Sequence, residues 1–460
     1  MTTFYSPTSA VTAVARDLET RIRGSVIVPA DPAYLQATRL WNGAVQRTPA
    51  LIVRARDEVD VMTAVRAAQD SQLPLSIRGG GHDWAGRALR DGGLVLDLSE
   101  MRHVAVDPVT WTAVAQGGTR NGDIAQAAHR HEFVAVTGTV NAVGLTGLTL
   151  GGGYGLLAGS FGLAADNLLS ARVVVADGRL VTASPDENPD LYWALRGGGG
   201  NFGVVVAGRY RLHPVRSALS GLLLYPHAQA SRVLRGYRDL LAQAPDELTV
   251  MAGFFGGPDG RPVLFLLPLW VGERARGEQW FDRLRGLGSP MSSQLGVMAY
   301  RDVLSQFDQT VVDGRHLEVR TRWLPVLDDD SLAALVDAAD GWTSGMSGIY
   351  VHHFHGAASR VPVEETAFGL RRDHLLVEMV ASWDATDRNG GRHRDWVRAL
   401  SQRLASQALP GGYPNLLDED EYERVLLAYG PNVARLLALK HRFDPQGLFR
   451  AVPGLSPASF

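Results

Sequence analysis

The placement of glycine constrains this chain more than any other feature. Its 51 glycines in 460 residues concentrate between His82 and Gly203, with Gly79-Gly80-Gly81 directly ahead. A flexible linker would scatter them. Glycine reaches backbone conformations closed to other residues and lets the main chain approach a ligand. The loop Arg78-Gly79-Gly80-Gly81 follows a strand-like run and aims several backbone N–H groups at one place with no side chain intruding, which suits a pyrophosphate. A second loop, Thr149-Leu150-Gly151-Gly152-Gly153-Tyr154-Gly155, and a third, Arg196-Gly197-Gly198-Gly199-Gly200-Asn201-Phe202-Gly203, weaken the competing account of the first as a plain tight turn.

Around these loops the apolar spacing predicts alternating strands and helices. Residues 51–54 and 73–77 read as strands flanking a helix with the Val59/Val61/Val65 spacing; 93–98, 104–107 and 111–115 read as further strands. A helix is expected over 121–131, and a hairpin over 171–182 turning at Asp177-Gly178. After Arg216 the texture changes to longer strands, such as 220–225 and 263–270, with helices near 331–342 and 389–405. Residues 421–442 read as one amphipathic helix stopped by Asp444-Pro445.

Charged residues make up 20% and the net charge is -3, which leaves neither a nucleic-acid footprint nor an acidic tail, so a small-molecule partner is expected. No apolar run is long enough to span a bilayer and residues 1–7 carry no leader signature, hence the expectation of no membrane partner and a cytoplasmic location. With no cysteine, disulfides, thiolate metal sites and thioether links to a cofactor are excluded.

The ordered motifs Ser76-Ile77-Arg78-Gly79-Gly80-Gly81-His82-Asp83-Trp84-Ala85-Gly86, the run from Gly138 to Gly147, Leu150 to Gly155 and Leu191 to Gly203 resemble the FAD-binding half of berberine-bridge-enzyme-like oxidases. These belong to the vanillyl-alcohol-oxidase, PCMH-type class of flavoprotein. Tyr413-Pro414-Asn415-Leu416-Leu417-Asp418 and the run from Lys440 to Phe449 resemble the same family's closing segment. The resemblance implies an α+β fold: an FAD-binding domain over 1–216 with its PCMH-type core at about 46–216, an inserted α+β substrate domain with an antiparallel sheet over 217–408, and a segment over 409–460 returning to the first domain.

By motif position the resemblance assigns cofactor contacts to Arg78, Gly79, Gly80, Gly81, His82, Asp83 and Gly86, then to Gly118, Gly138, Thr139, Val143, Gly144 and Gly147. Gly152, Gly155, Gly203, Val205 and Asn415 complete the set. It makes His82 the residue bonded to the flavin 8α-methyl carbon. Many relatives add a cysteinyl link in the Gly138 motif; Val140 stands there, so FAD is expected to be attached through His82 alone. Val143 falls at the family's gate beside the ring, where a small residue goes with oxygen access.

Tyr154 falls at a family active-site tyrosine, and the tail tyrosine that usually follows Asn415 is replaced by Leu416. Tyr413 is the expected substitute, competing with simple packing. A free phenol titrates near ~10 and is a poor base without a stabilising neighbour. In residues 351–356, which resemble a substrate-wall strand, His353 and His355 share one face and His352 takes the other; His353 is expected to face substrate. No carboxylate follows at a suggestive spacing, so no metal is expected. Arg371 or Arg372 is a candidate carboxylate clamp, and Trp84 a candidate frame for an aromatic substrate.

The resulting expectation is an FAD-dependent oxidase that takes a hydride from a C–H beside a hydroxyl or amine and passes electrons to O2, giving hydrogen peroxide. Two alternatives share the flavin: a dehydrogenase using another acceptor, and a flavin-binding protein with little turnover. A nicotinamide dehydrogenase also competes, because Gly153-Tyr154-Gly155-Leu156-Leu157-Ala158 fits G-x-G-x-x-A and Asp177 follows at about the required spacing of ~20 residues.

Overall fold

The computed structural model describes residues 9–452 and Leu455. Residues 1–7, on which the expectation of a missing leader rests, lie outside the described residues. Among the described residues no helix is long and apolar enough to cross a membrane.

Three sheets carry an α+β architecture. The first runs in the order Ser25–Ile27, Leu51–Arg54, Leu94–Asp97, Leu75–Arg78. Leu51–Arg54 and Leu75–Arg78 both lie parallel to Leu94–Asp97, which demands a crossover. The helix Glu58–Asp70 supplies one, its start fixed by the Asp57 carboxylate accepting from the Val59 and Asp60 N–H groups. Leu51, Ile52, Val53, Leu94, Val95 and Leu96 are all buried, so these strands read as apolar runs rather than alternations.

The second sheet is antiparallel around the long strand Val204–His213, which pairs with Thr112–Gln116 on one side and Leu168–Val174 on the other. Val174, Val204 and Val206 share a core with Leu51, Val53, Val61 and Leu94, joining the two sheets over the Glu58–Asp70 helix.

The third sheet, nine antiparallel strands, spans Ala218–Ser220 to His374–Trp383. Helices Ala230–Leu241, Arg274–Arg285, Asp329–Asp340 and Gly390–Arg403 cover one face, where Ile349, Val351, Val377 and Met379 join the core. Alternation puts Tyr350, His352, Leu376 and Glu378 on the other face. The C-terminal residues Leu417, Val425, Tyr429, Leu436 and Val452 return to pack with Ala113, Leu195 and Val205.

Two expected elements are broken. The helix over 421–442 is two, Tyr422–Tyr429 and Val433–Phe443, because Gly430 takes φ 49° and Pro431 has no N–H to give. The strand over 220–225 splits at Gly221, where a Cβ would stand 2.2 Å from the Gln294 carbonyl oxygen.

Candidate active site

A cavity of about 380 Å³ is walled on one side by the glycine loops and on the other by the uncovered face of the third sheet. That is within the size range of small-molecule and cofactor sites. Of the residues expected to hold the cofactor, Gly79, Gly80, Gly81, His82, Asp83, Gly138, Thr139, Val143, Gly144, Gly147, Gly203, Val205 and Asn415 line it. The first loop meets the Gly138 segment backbone to backbone: a Cβ on Gly80 would lie 2.4 Å from the Gly144 nitrogen. Any side chain there would close the cleft.

Arg78, Gly86, Gly118, Gly152 and Gly155 do not line the cavity. The Arg78 guanidinium turns away to donate to the Ala37 carbonyl. The four glycines sit against protein instead: a Cβ would strike Val45 at Gly86, the Leu98 carbonyl at Gly118, Phe368 at Gly152 and the Thr137 carbonyl at Gly155. They shape the wall from behind. Gly117, one residue before the expected Gly118, is the one that faces inward.

His82 stacks on Trp41 with ring centroids 4.1 Å apart and planes 18° from parallel. Its Nε2 is buried without a hydrogen-bond partner, and its remaining exposure is to the cavity. Burial first, then the nearby Arg120, pushes its pKa down to about 4, against a backbone hydrogen bond and Asp83. The ring is therefore neutral near pH 7; it borders the cavity and keeps its Nε2 buried and uncommitted. That nitrogen and the glycine cradle fit a covalently held flavin.

The tail locks onto this loop. Arg87 pairs with Asp83 at 2.8 Å and donates to the Asn415 and Pro414 carbonyls. The Trp84 indole donates to the Leu416 carbonyl at 3.2 Å. Trp84 is thus buried beside Leu317 and Val319 and does not frame the cavity; Trp41 does. Farther along, the buried Lys440 ammonium donates to the Asn201 and Phe449 carbonyls and pairs with Asp444, holding the third glycine loop against the tail.

Tyr154 and Tyr413 both reach the cavity, their rings 5.0 Å apart. The Tyr413 hydroxyl accepts from the Gly153 N–H at 3.2 Å and from Asn415 Nδ2 at 3.3 Å, and donates to the Leu148 carbonyl at 3.4 Å. The Tyr154 hydroxyl sits 2.7 Å from His374 Nε2. Burial holds both phenols well above their usual range, so neither is ionised at neutral pH.

On the uncovered sheet face, His352 Nε2 lies 3.2 Å from Glu378 Oε2, and both line the cavity. His353 does not: it points to the helix-covered side and stacks on His355 at 3.7 Å. The expected alternation holds, but the helices cover the face carrying His353. Glu378 was not anticipated. Its signal was a lone carboxylate inside the otherwise apolar strand His374–Trp383. Arg371 is also committed, paired at 2.7 Å with Asp166. Neither it nor Arg372 lines the cavity.

The G-x-G-x-x-A reading fails on geometry. Residues 153–155 follow the helix Leu145–Leu150 rather than a strand, and Asp177 sits on an exposed turn paired with Arg179.

A family profile described as FAD binding domain matches residues 49–184, and one described as berberine and berberine like matches 412–455. Among curated proteins, the FAD-linked oxidoreductase hasG of Aspergillus fumigatus is 32% identical, over 95% of this chain and 98% of its own length. The (R)-6-hydroxynicotine oxidase of Paenarthrobacter nicotinovorans is 30% identical, over 95% and 97%. The solved BBE-like 1 of Physcomitrella patens superposes with a TM-score of 0.87 over 96% of this chain and 99% of its own, and at 22% identity it speaks for the fold alone.

Proposed function

The chain belongs to the berberine-bridge-enzyme-like family of FAD-linked oxidoreductases, and from that premise we propose an oxidase acting on a C–H bond beside a hydroxyl or amine of a small organic substrate. The observation that carries this is one cavity bordered both by the neutral His82 ring and by the hydrogen-bonded His352–Glu378 pair.

FAD supplies a hydride acceptor at ring N5 and, in an oxidase, a route for the electrons to O2 as hydrogen peroxide. His82 is the sole covalent tether through its ring nitrogen, since no cysteine exists to add a second. Backbone N–H groups of Gly79 to Gly81 and of the Gly138 segment would hold the phosphates. Val143, small for its position, would leave oxygen a way to the ring. Glu378 takes the proton from the substrate hydroxyl, and His352 orients that carboxylate. Tyr350, Leu376 and Val380 form an apolar wall that excludes water and fixes the substrate's reacting carbon.

The test is peroxide release from the flavin-loaded protein over a panel of secondary alcohols, amines and 2-hydroxy acids. Turnover lost in Glu378→Gln supports the assignment. A yellow protein that oxidises nothing in the panel, or that reoxidises slowly in air after chemical reduction, overturns it.

A further inference from the structure

The uncovered face of the third sheet is not paved evenly. Gly253, Tyr350 and Glu378 lie side by side in register on three neighbouring strands, and Gly348 precedes Tyr350 by two residues on the same face. A strand side chain ordinarily stands away from its sheet. The Tyr350 ring instead leans along its own strand over Gly348, where a Cβ would lie 2.6 Å from the phenol oxygen and 2.8 Å from Cε2 and Cζ. Neither glycine has a side chain to prop the ring upright. With its hydroxyl end laid against Gly348, Tyr350 borders the cavity with the flat of its ring. Phe307, also a cavity residue, meets it at 86° with centroids 6.0 Å apart and so forms a side wall. Glu378 is the direct cross-strand partner of Tyr350, and such pairs hold their Cβ atoms about 4.5–5.5 Å apart. Its side chain keeps 21% exposure and borders the same cavity.

We propose that Gly348 and Tyr350 are specificity-determining residues: the reclining ring is a flat floor that selects a planar aromatic substrate whose reacting carbon is attached directly to the ring. An aryl ring stacked on Tyr350 puts that carbon on the Glu378 side, with its hydroxyl or amine in reach of the carboxylate. An offset-stacked aromatic pair gains more than the area it buries. A saturated ring is puckered, leaves gaps against a flat floor and gains less, although it is the more apolar of the two. Any side chain at 348 would lift the Tyr350 ring into the space the substrate needs. The proposal rests on this cavity being the substrate site.

Calorimetric titration of the FAD-loaded protein with cumyl alcohol and its cyclohexyl counterpart tests it without relying on turnover, since these tertiary alcohols have no hydride to give. The cyclohexyl alcohol carries more apolar surface, so burial alone favours it. The floor instead predicts that cumyl alcohol binds about twofold to tenfold tighter. The preference should persist in Tyr350→Phe and vanish in Tyr350→Leu. Gly348→Ala should weaken cumyl alcohol by about fivefold or more with Tyr350 in place, and by much less in the Tyr350→Leu background. Should Gly348→Ala fail to take up FAD, the two Tyr350 variants decide alone. Equal or tighter binding of the cyclohexyl alcohol, binding of neither, or a preference that survives Tyr350→Leu overturns the proposal. The expected preference in a protein that releases no peroxide from any substrate would count only against the oxidase assignment.

Discussion

The Trp41 indole lies flat against the His82 imidazole, 4.1 Å between centroids. Contact over the ring face resists tilting of the imidazole, which keeps the ring beside the cavity. The 41-residue separation in sequence hides this pairing, since nothing in the spacing of Trp41 and His82 suggests it.

His82→Ala should abolish covalent attachment while leaving FAD bound reversibly, because the glycine cradle does not depend on the imidazole. After acid precipitation the chromophore should move to the supernatant; flavin still in the pellet would refute the tether. Trp41→Ala should attach flavin more slowly, read by the yield of acid-stable flavin over time.

Glu378→Gln should lower kcat/KM by about 10²- to 10⁴-fold, the usual contribution of a positioned general base. His352→Gln should cost less, since it removes a partner of the carboxylate and not the carboxylate. A Glu378→Gln variant with unchanged kcat/KM on a confirmed substrate would send the search for the base elsewhere.

Tyr413→Phe should affect stability more than turnover. The hydroxyl is already engaged by Gly153, Leu148 and Asn415, and its removal strands a buried N–H, costing about 1–3 kcal/mol. Thermal unfolding should show the loss. A large fall in kcat with an unchanged melting temperature would restore Tyr413 as a proton-handling residue.

Acid should unfold the apoprotein early. His374 and His82 are pushed down to about 3 and about 4 in the native state, against ~6.5 in an unfolded chain. Below ~6.5 the unfolded chain binds more protons, so stability is complete above that pH and declines as pH falls toward 4. Urea unfolding at a series of pH values should show the decline, and His374→Gln should flatten it.

Much of the cavity's glycine wall was legible because glycine loops announce themselves by residue type. The substrate side was less so. The period of two in residues 351–355 was readable, yet which face the helices cover depends on elements more than a hundred residues away, so His353 was favoured over His352. Glu378 gave only the faint sign of one charge in an apolar strand. The four cofactor-set glycines that turn away from the cavity share a cause: a glycine needed to let protein pass protein looks, in sequence, like one needed to admit a ligand. Gly430-Pro431 was a readable helix break that amphipathic spacing on both sides obscured.

The clasp between Arg87 and Asn415 joins residues 328 positions apart. At ribosomal speeds of about 5–20 residues per second, the His82 loop waits on the order of tens of seconds for its clasp to emerge. During translation the cleft is an open gutter with one rim missing. Cofactor capture is thereby a late event in the life of each molecule, and any chain broken off before residue 412 would be left holding an FAD site it cannot shut.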